Sequence, residues 1–292
     1  MFYCANLQKR YALNKRFVCR ISSFKNSNKQ LLTNNKEQTT ISIFAQMRFF
    51  IELSYNGTDF HGWQVQPNAN TVQAEINKAL SIILNTTVEV VGAGRTDTGV
   101  HAKQMFAHFD FELVFDAQKL KQKLNSFLPK DISIYNIIQV GDEVSSRFDA
   151  ISRTYEYHIV QHKDPFINNA YYIHNKLNVS DMNLACKYIL GKQDFTSFSK
   201  VNTDTFTNNC DVMIANWKWE GSVLVFTIKA DRFLRNMVRA VVGTLLNVGI
   251  GKITIDEVKN IITAKDRCMA GTSVPAHALF LTKVEYPKHI IS

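Results

Sequence analysis

The sequence lacks any apolar run near the eighteen or so residues that a membrane-spanning helix needs. Its longest such stretch, Met237 to Ile250, is broken by Arg239, Gly243 and Asn247. Five cysteines, an odd number with no CxxC pair, argue against a zinc site or a disulfide framework and fit a reducing compartment. Twelve glycines and five prolines exclude collagen-like or low-complexity character. Acids are scarce in one place only: residues 1–46 hold eight Lys/Arg and a single acid, Glu37. Of the formal charge of +9, +7 therefore belongs to that stretch and +2 to the remaining 246 residues. A pI of 9.2 ordinarily suggests a nucleic-acid binder. Here it mostly describes the first 46 residues, so any basic surface on the body must come from clustering.

What is present is a chain of 292 residues, 46% apolar, enough for one large core or two ordinary ones. Patterning begins at Met47. Phe49, Ile51, Leu53 and Tyr55 alternate with Glu52 and Ser54, a strand period that Asn56-Gly57 ends. A helix follows over about 71–84, with Asn70 and Gln73 at capping-box spacing. Strands at 88–91, 104–112 and 132–140 enclose a helix that Asp116 caps and Pro129 terminates. The second half opens with a strand over 153–160 and continues with a helix begun by Ser180. A hairpin turning at Glu220-Gly221 leads to the most apolar helix, about 232–248, and Thr254 and Glu257 cap another. Residues 274–286 read as a last extended segment. Strands and helices without a βαβ rhythm indicate an α+β fold. The boundaries expected are 1–46 as a disordered basic extension, 47–150 as a first subdomain and 151–292 as a second, similar one. Each would have mixed, mainly antiparallel sheet.

The loop 92–102 is the segment suited to chemistry. Its glycines at 92, 94 and 99 do not fit a dinucleotide-binding fingerprint, and a strand follows where that motif needs a helix. One reading makes Asp97 an Asx-turn residue. The other makes it a carboxylate held on a tight loop beside Arg95, with small residues leaving room for a ligand. Arg232, Arg235 and Arg239 share one face of the expected apolar helix, either as a solvated stripe or as the lining of a cleft. His101 and His108 have no third partner at metal-ligand spacing.

GRTDTGVHA at 94–102 resembles the catalytic motif of the tRNA pseudouridine synthase A family. The stretches LSYNGTDFHGWQVQPNANTVQ at 53–73, SRFDAISRTYEYHI at 146–159 and DFTSFS at 194–199 resemble that family's further blocks, in its order. So do FLRNMVRAVVGTLLNVGIGK at 233–252 and HALFLTKVEYP at 277–287. Ala278 stands where glycine is expected, and Val274 replaces an expected alanine. The resemblance implies an isomerase that turns uridine into pseudouridine at positions 38–40 of the tRNA anticodon stem-loop, with Asp97 as catalytic carboxylate. It also implies that Tyr155 stacks on the target base, that Arg239 pairs with the carboxylate and that Arg95 holds the everted RNA. Arg232 and Arg235 would meet phosphates in an RNA-binding cleft between the two subdomains. No cofactor or metal is implied, since the reaction involves neither redox change nor energy input. A homodimer in the cytoplasm, with no membrane association, completes the expectation. Competing readings are a related synthase with another RNA target and a catalytically silent RNA-binding factor. Intact Asp97, Tyr155 and Arg239 weigh against the silent factor.

Residues 1–46 could be a basic RNA-binding arm, an organellar presequence or an upstream stretch before a true start at Met47. The start at Met47 is the reading favoured, because Met47-Arg48 immediately precedes the first strand.

Overall fold

A computed structural model describes residues 46–200 and 205–291. The expectations for residues 1–46 thus fall, apart from Gln46, outside the described residues. In chain order the strands are β1 (Met47–Tyr55), β2 (Val91–Gly92), β3 (His101–Phe111), β4 (Ile132–Val140), β5 (Ser152–Val160), β6 (Tyr171–Tyr172), β7 (Gly191–Asp194), β8 (Asn209–Glu220), β9 (Val223–Ala230) and β10 (Leu279–Glu285). The helices are α1 (Val72–Leu84), α2 (Ala117–Phe127), α3 (Val179–Cys186), α4 (Met237–Gly249) and α5 (Ile255–Ala264).

Eight strands form one sheet in the order β4-β1-β3-β10-β5-β9-β8-β7, with β2 added on β3 and β6 on β5. All pairings are antiparallel except β10 with β3 and β6 with β5. The fold is α+β with a mostly antiparallel sheet. Two apolar cores lie along it. One joins β1, β3 and β4 to α1 and α2; the other joins β5, β8 and β9 to α3, α4 and α5. β10, from the far end of the chain, runs between β3 and β5, pairing His101 with Phe280 and Tyr155 with Leu281. The seam between the two cores therefore falls where β3 begins.

The alternation in β1 buries Phe49, Ile51, Leu53 and Tyr55 as the period requires. Phe50 lies on the other face yet is also buried, beneath the edge-on ring of Tyr286 at 5.3 Å. Helix starts differ from the sequence reading where two cap residues stand close together. Thr71, not Asn70, accepts the first-turn N–H of α1, and Gln73 instead bonds the Val65 N–H and the Val90 carbonyl. Asn178, not Ser180, caps α3. The Asp116 cap and the Thr254–Glu257 capping box stand as read.

The largest revision concerns α4. It begins at Met237, five residues after the start that the apolar period suggested, because Asn236 adopts a left-handed backbone with φ 67°. Arg232 and Arg235 consequently precede the helix, and the three-arginine helical face does not exist. Eleven of the thirteen α4 residues are buried, as expected of a helix apolar all round.

Candidate active site

Asp97 sits on the loop between β2 and β3, which docks onto residues 57–63. The Trp63 N–H donates to the Thr96 carbonyl (3.3 Å), and the Gly99 N–H to the Phe60 carbonyl (3.2 Å). Gly62, at φ 87°, permits this approach: a Cβ there would stand 2.4 Å from the Thr96 oxygen. Tyr55 reaches up from β1 to hydrogen-bond the Thr96 hydroxyl at 2.8 Å. Inside the loop, the Val100 N–H bonds the Asp97 carbonyl (3.1 Å), closing a turn that leaves the carboxylate half-buried.

Arg239, two residues into α4, divides its guanidinium between two acceptors. Nη1 meets Asp97 Oδ2 at 3.3 Å, and Nε donates to the Val274 carbonyl at 2.7 Å. This is a one-point contact with the carboxylate, where a planar side chain could have made two. The helix can lie this close to residues 271–274 because position 243 is glycine: a Cβ there would fall 1.9 Å from the Thr272 oxygen. The backbone of Arg239 also accepts the Val274 N–H. Val274 is thus held from both sides of one arginine.

Tyr155 on β5 packs against both cores and meets Phe233 edge-on at 5.1 Å, with the rings at 87°. The sequence pattern had put Phe233 on the helix; it precedes α4 and walls Tyr155 instead. Burial is the main cause that raises the Tyr155 hydroxyl to about 12, and the nearby Asp97 charge adds to it while Arg153 opposes it. The phenol is therefore neutral throughout the physiological range. Its strand neighbour Tyr157 is fully buried, and its hydroxyl donates to the Pro275 carbonyl at 2.9 Å.

The remaining arginines of the sequence reading stand apart from this pair. Arg95 and Arg235 are exposed and Arg232 half-exposed; none pairs with a carboxylate among the described residues. Arg153 is a residue the sequence reading passed over. Its two terminal nitrogens donate to four carbonyls, those of Ala150, Asp231, Ala93 and Arg147, at 2.6–3.0 Å. Burial lowers its pKa. A signal for it existed, since Arg153 shares the strand face of Tyr155 and Tyr157, and a guanidinium on a core face must find acceptors.

The arrangement can hold an anionic carboxylate beside a cation and a neutral aromatic ring, at a seam open enough to leave Asp97 and Tyr155 only partly covered. Comparison with known proteins identifies it further. The family described as tRNA pseudouridine synthase matches residues 53–149 and 185–287. tRNA pseudouridine synthase A of Parabacteroides distasonis is 56% identical over 245 residues, covering 83% of this chain and 97% of its own. The chain belongs to the tRNA pseudouridine synthase A family. Its namesakes in Bacteroides thetaiotaomicron (52% identical, 84% of this chain and 93% of the relative) and Bacillus subtilis (40%, 82% and 99%) agree. A solved structure titled as a Cbf5-Nop10-Gar1 complex aligns at a TM-score of 0.32 and 11% identity over 80% of this chain and 57% of its own, too slight a likeness to bear on the site. Arg95 and Asp97 fall in the first matched segment and Arg232, Arg235 and Arg239 in the second. Tyr155 lies between the two segments. Ala278 is fully buried with no left-handed backbone, so the conformation there does not require the glycine expected from the family pattern.

Proposed function

We propose that this chain isomerises uridine to pseudouridine in the anticodon stem-loop of tRNA, at positions 38–40, with Asp97 as the carboxylate that assists cleavage. The observation that carries this reading is the contact between Asp97, in the first segment that the family matches, and Arg239, in the second. In the reaction the N1–C1′ bond breaks, the detached uracil turns, and C5 joins C1′; C5 loses a proton and N1 gains one. The reading requires a base everted from its stack and an aromatic platform to receive it, a role suited to the half-covered Tyr155 ring. Arg239 keeps Asp97 oriented. The exposed Arg95 and Arg235, with Arg232, are suited to phosphates of the RNA on either side of the site.

The same reading makes the protein a cytoplasmic homodimer that takes tRNA as its partner and needs no cofactor. Cysteine usage supports a reducing compartment. No helix among the described residues is long and apolar enough to cross a membrane.

Pseudouridine mapping on unmodified tRNA, with tritium release from C5-labelled uridine as the rate assay, tests the proposal. Product confined to positions 38–40 upholds it. Product at other positions would move the chain to a related synthase, and tight tRNA binding without turnover would make it a binding factor.

A further inference from the structure

Three side chains from three elements end on consecutive stretches of one short backbone segment. Arg239 of α4 donates to the Val274 carbonyl (2.7 Å), Tyr157 of β5 to the Pro275 carbonyl (2.9 Å), and His101 of β3 bonds the His277 carbonyl (2.9 Å). His101 is buried at 2% exposure. Its Nδ1 accepts the Gly57 N–H at 3.0 Å, which leaves the ring proton on Nε2 to be donated to His277. The ring also stacks on Phe280, its register partner on β10, at 4.7 Å and 21°.

These bonds connect two carriers. The Asp97 loop rests on residues 57–63, and His101, four residues after Asp97, grips Gly57 in that same support. Arg239 is braced on Val274, and His101 grips His277 in that second support. From this geometry we infer that His101 is a positioning residue: it ties the support of Asp97 to the support of Arg239 and sets the separation of the pair, with Tyr157 holding the same segment from β5. The inference rests on the reading of Asp97 as the catalytic carboxylate. Neither His101 nor Tyr157 need touch RNA. Both act through the 274–277 backbone, and a misplacement on the order of 1 Å at a reacting pair can cost about 100-fold in rate.

Steady-state kinetics on tRNA, run side by side for wild type, Asp97→Asn, His101→Gln and Tyr157→Phe, test the inference, with circular dichroism melts to verify folding at the assay temperature. His101→Gln should lower kcat about tenfold or more while KM for tRNA stays within about twofold. Tyr157→Phe removes one oxygen and keeps the packed ring, so it should fold and still lower kcat by a smaller factor, again at constant KM. If His101→Gln does not fold, Tyr157→Phe alone decides. Folded variants that turn over within about twofold of wild type, or that lose activity through KM instead, would overturn the positioning role. An active Asp97→Asn enzyme would instead sink the underlying assignment of Asp97, so the two failures are told apart.

Discussion

Arg239 and Asp97 are 142 residues apart in sequence, and one guanidinium nitrogen of the first lies 3.3 Å from one carboxylate oxygen of the second. The other arm of the arginine is occupied by the Val274 carbonyl. The carboxylate therefore keeps one oxygen without that cation, and its side chain is 30% exposed. A doubly gripped carboxylate would be a structural ion pair. A singly gripped one is oriented and still available for chemistry.

Asp97→Asn keeps the shape and can still accept the Arg239 proton, but it removes the anionic oxygen. Turnover should fall below detection while tRNA binding persists, because the arginines proposed to meet phosphates are untouched. The paired measurement is tritium release against filter binding with the same preparation. A variant retaining a tenth or more of the wild-type rate would remove Asp97 from the chemistry.

Arg239→Lys keeps the charge and loses the division of labour. An ammonium can approach Asp97 or the Val274 carbonyl, but it cannot serve both with a planar fork. The expected loss is about 2–3 kcal/mol of transition-state stabilisation, the worth of a hydrogen bond to a charged group plus the lost orientation. In kcat/KM that is roughly 30- to 160-fold. A nearly silent substitution would mean that the 3.3 Å contact has no part in catalysis.

Much of this site was readable in the sequence, and the misreadings share a cause. The local pattern left Asp97 open between an Asx-turn residue and a functional carboxylate, and it stood out because the family motif around it is specific. β1, β4, the Asp116 cap and the 254–257 capping box were legible because each depends on local period or local hydrogen bonds. α4 was extended too far because Phe233 and Leu234 continue an apolar helical period. Whether the backbone continues with them is decided by the left-handed turn at Asn236, whose side chain bonds Ser273 from another part of the chain. His101 and Arg153 were undervalued for a related reason. Their partners are backbone carbonyls and an N–H, which carry no residue signature. The insertion of β10 between β3 and β5 is likewise a long-range pairing that no local pattern announces.

Tyr155 offers a ring and a hydroxyl that can be separated. Tyr155→Phe keeps the ring against Phe233, so base capture should be unchanged; Tyr155→Leu should weaken it by about 1–3 kcal/mol, the usual worth of one base–aromatic stack. Because the hydroxyl titrates only near about 12, it cannot produce an alkaline limb in the rate between pH 7 and about 10. The pH–rate profile of Tyr155→Phe should accordingly parallel that of the wild type across that span. A limb lost in the phenylalanine variant would show the hydroxyl exchanging its proton at much lower pH than its burial allows.

His101 makes stability depend on pH in a definable direction. Burial holds its imidazole below the usual value, although the bond to the His277 carbonyl pulls the other way, and His108 is lowered by burial and by Arg48. Both rings are therefore neutral in the folded protein at neutral pH. The unfolded chain takes up protons on them near about 6.5, which the folded chain resists. Their contribution is complete above that value and is lost as pH falls from about 6.5 through the lower folded values, by at most about 1.4 kcal/mol per pH unit for each ring. Glu156 and Glu285, each held down to about 2 by hydrogen-bonded partners, lose their share progressively as pH falls from about 4.5 towards about 2, so this phase lies below that of the histidines. The titratable groups around His101 are His277 before β10 and His158 on β5, with Glu156 and Lys103 beyond Phe280. All four remain in a His101→Gln variant and cancel in the comparison. Urea unfolding at pH 7.5 and pH 5.5 should show wild type losing more stability on acidification than His101→Gln, which starts lower and changes less. Equal losses in the two proteins would mean that His101 accepts a proton in the fold as readily as out of it, and that the Gly57 N–H does not occupy its Nδ1.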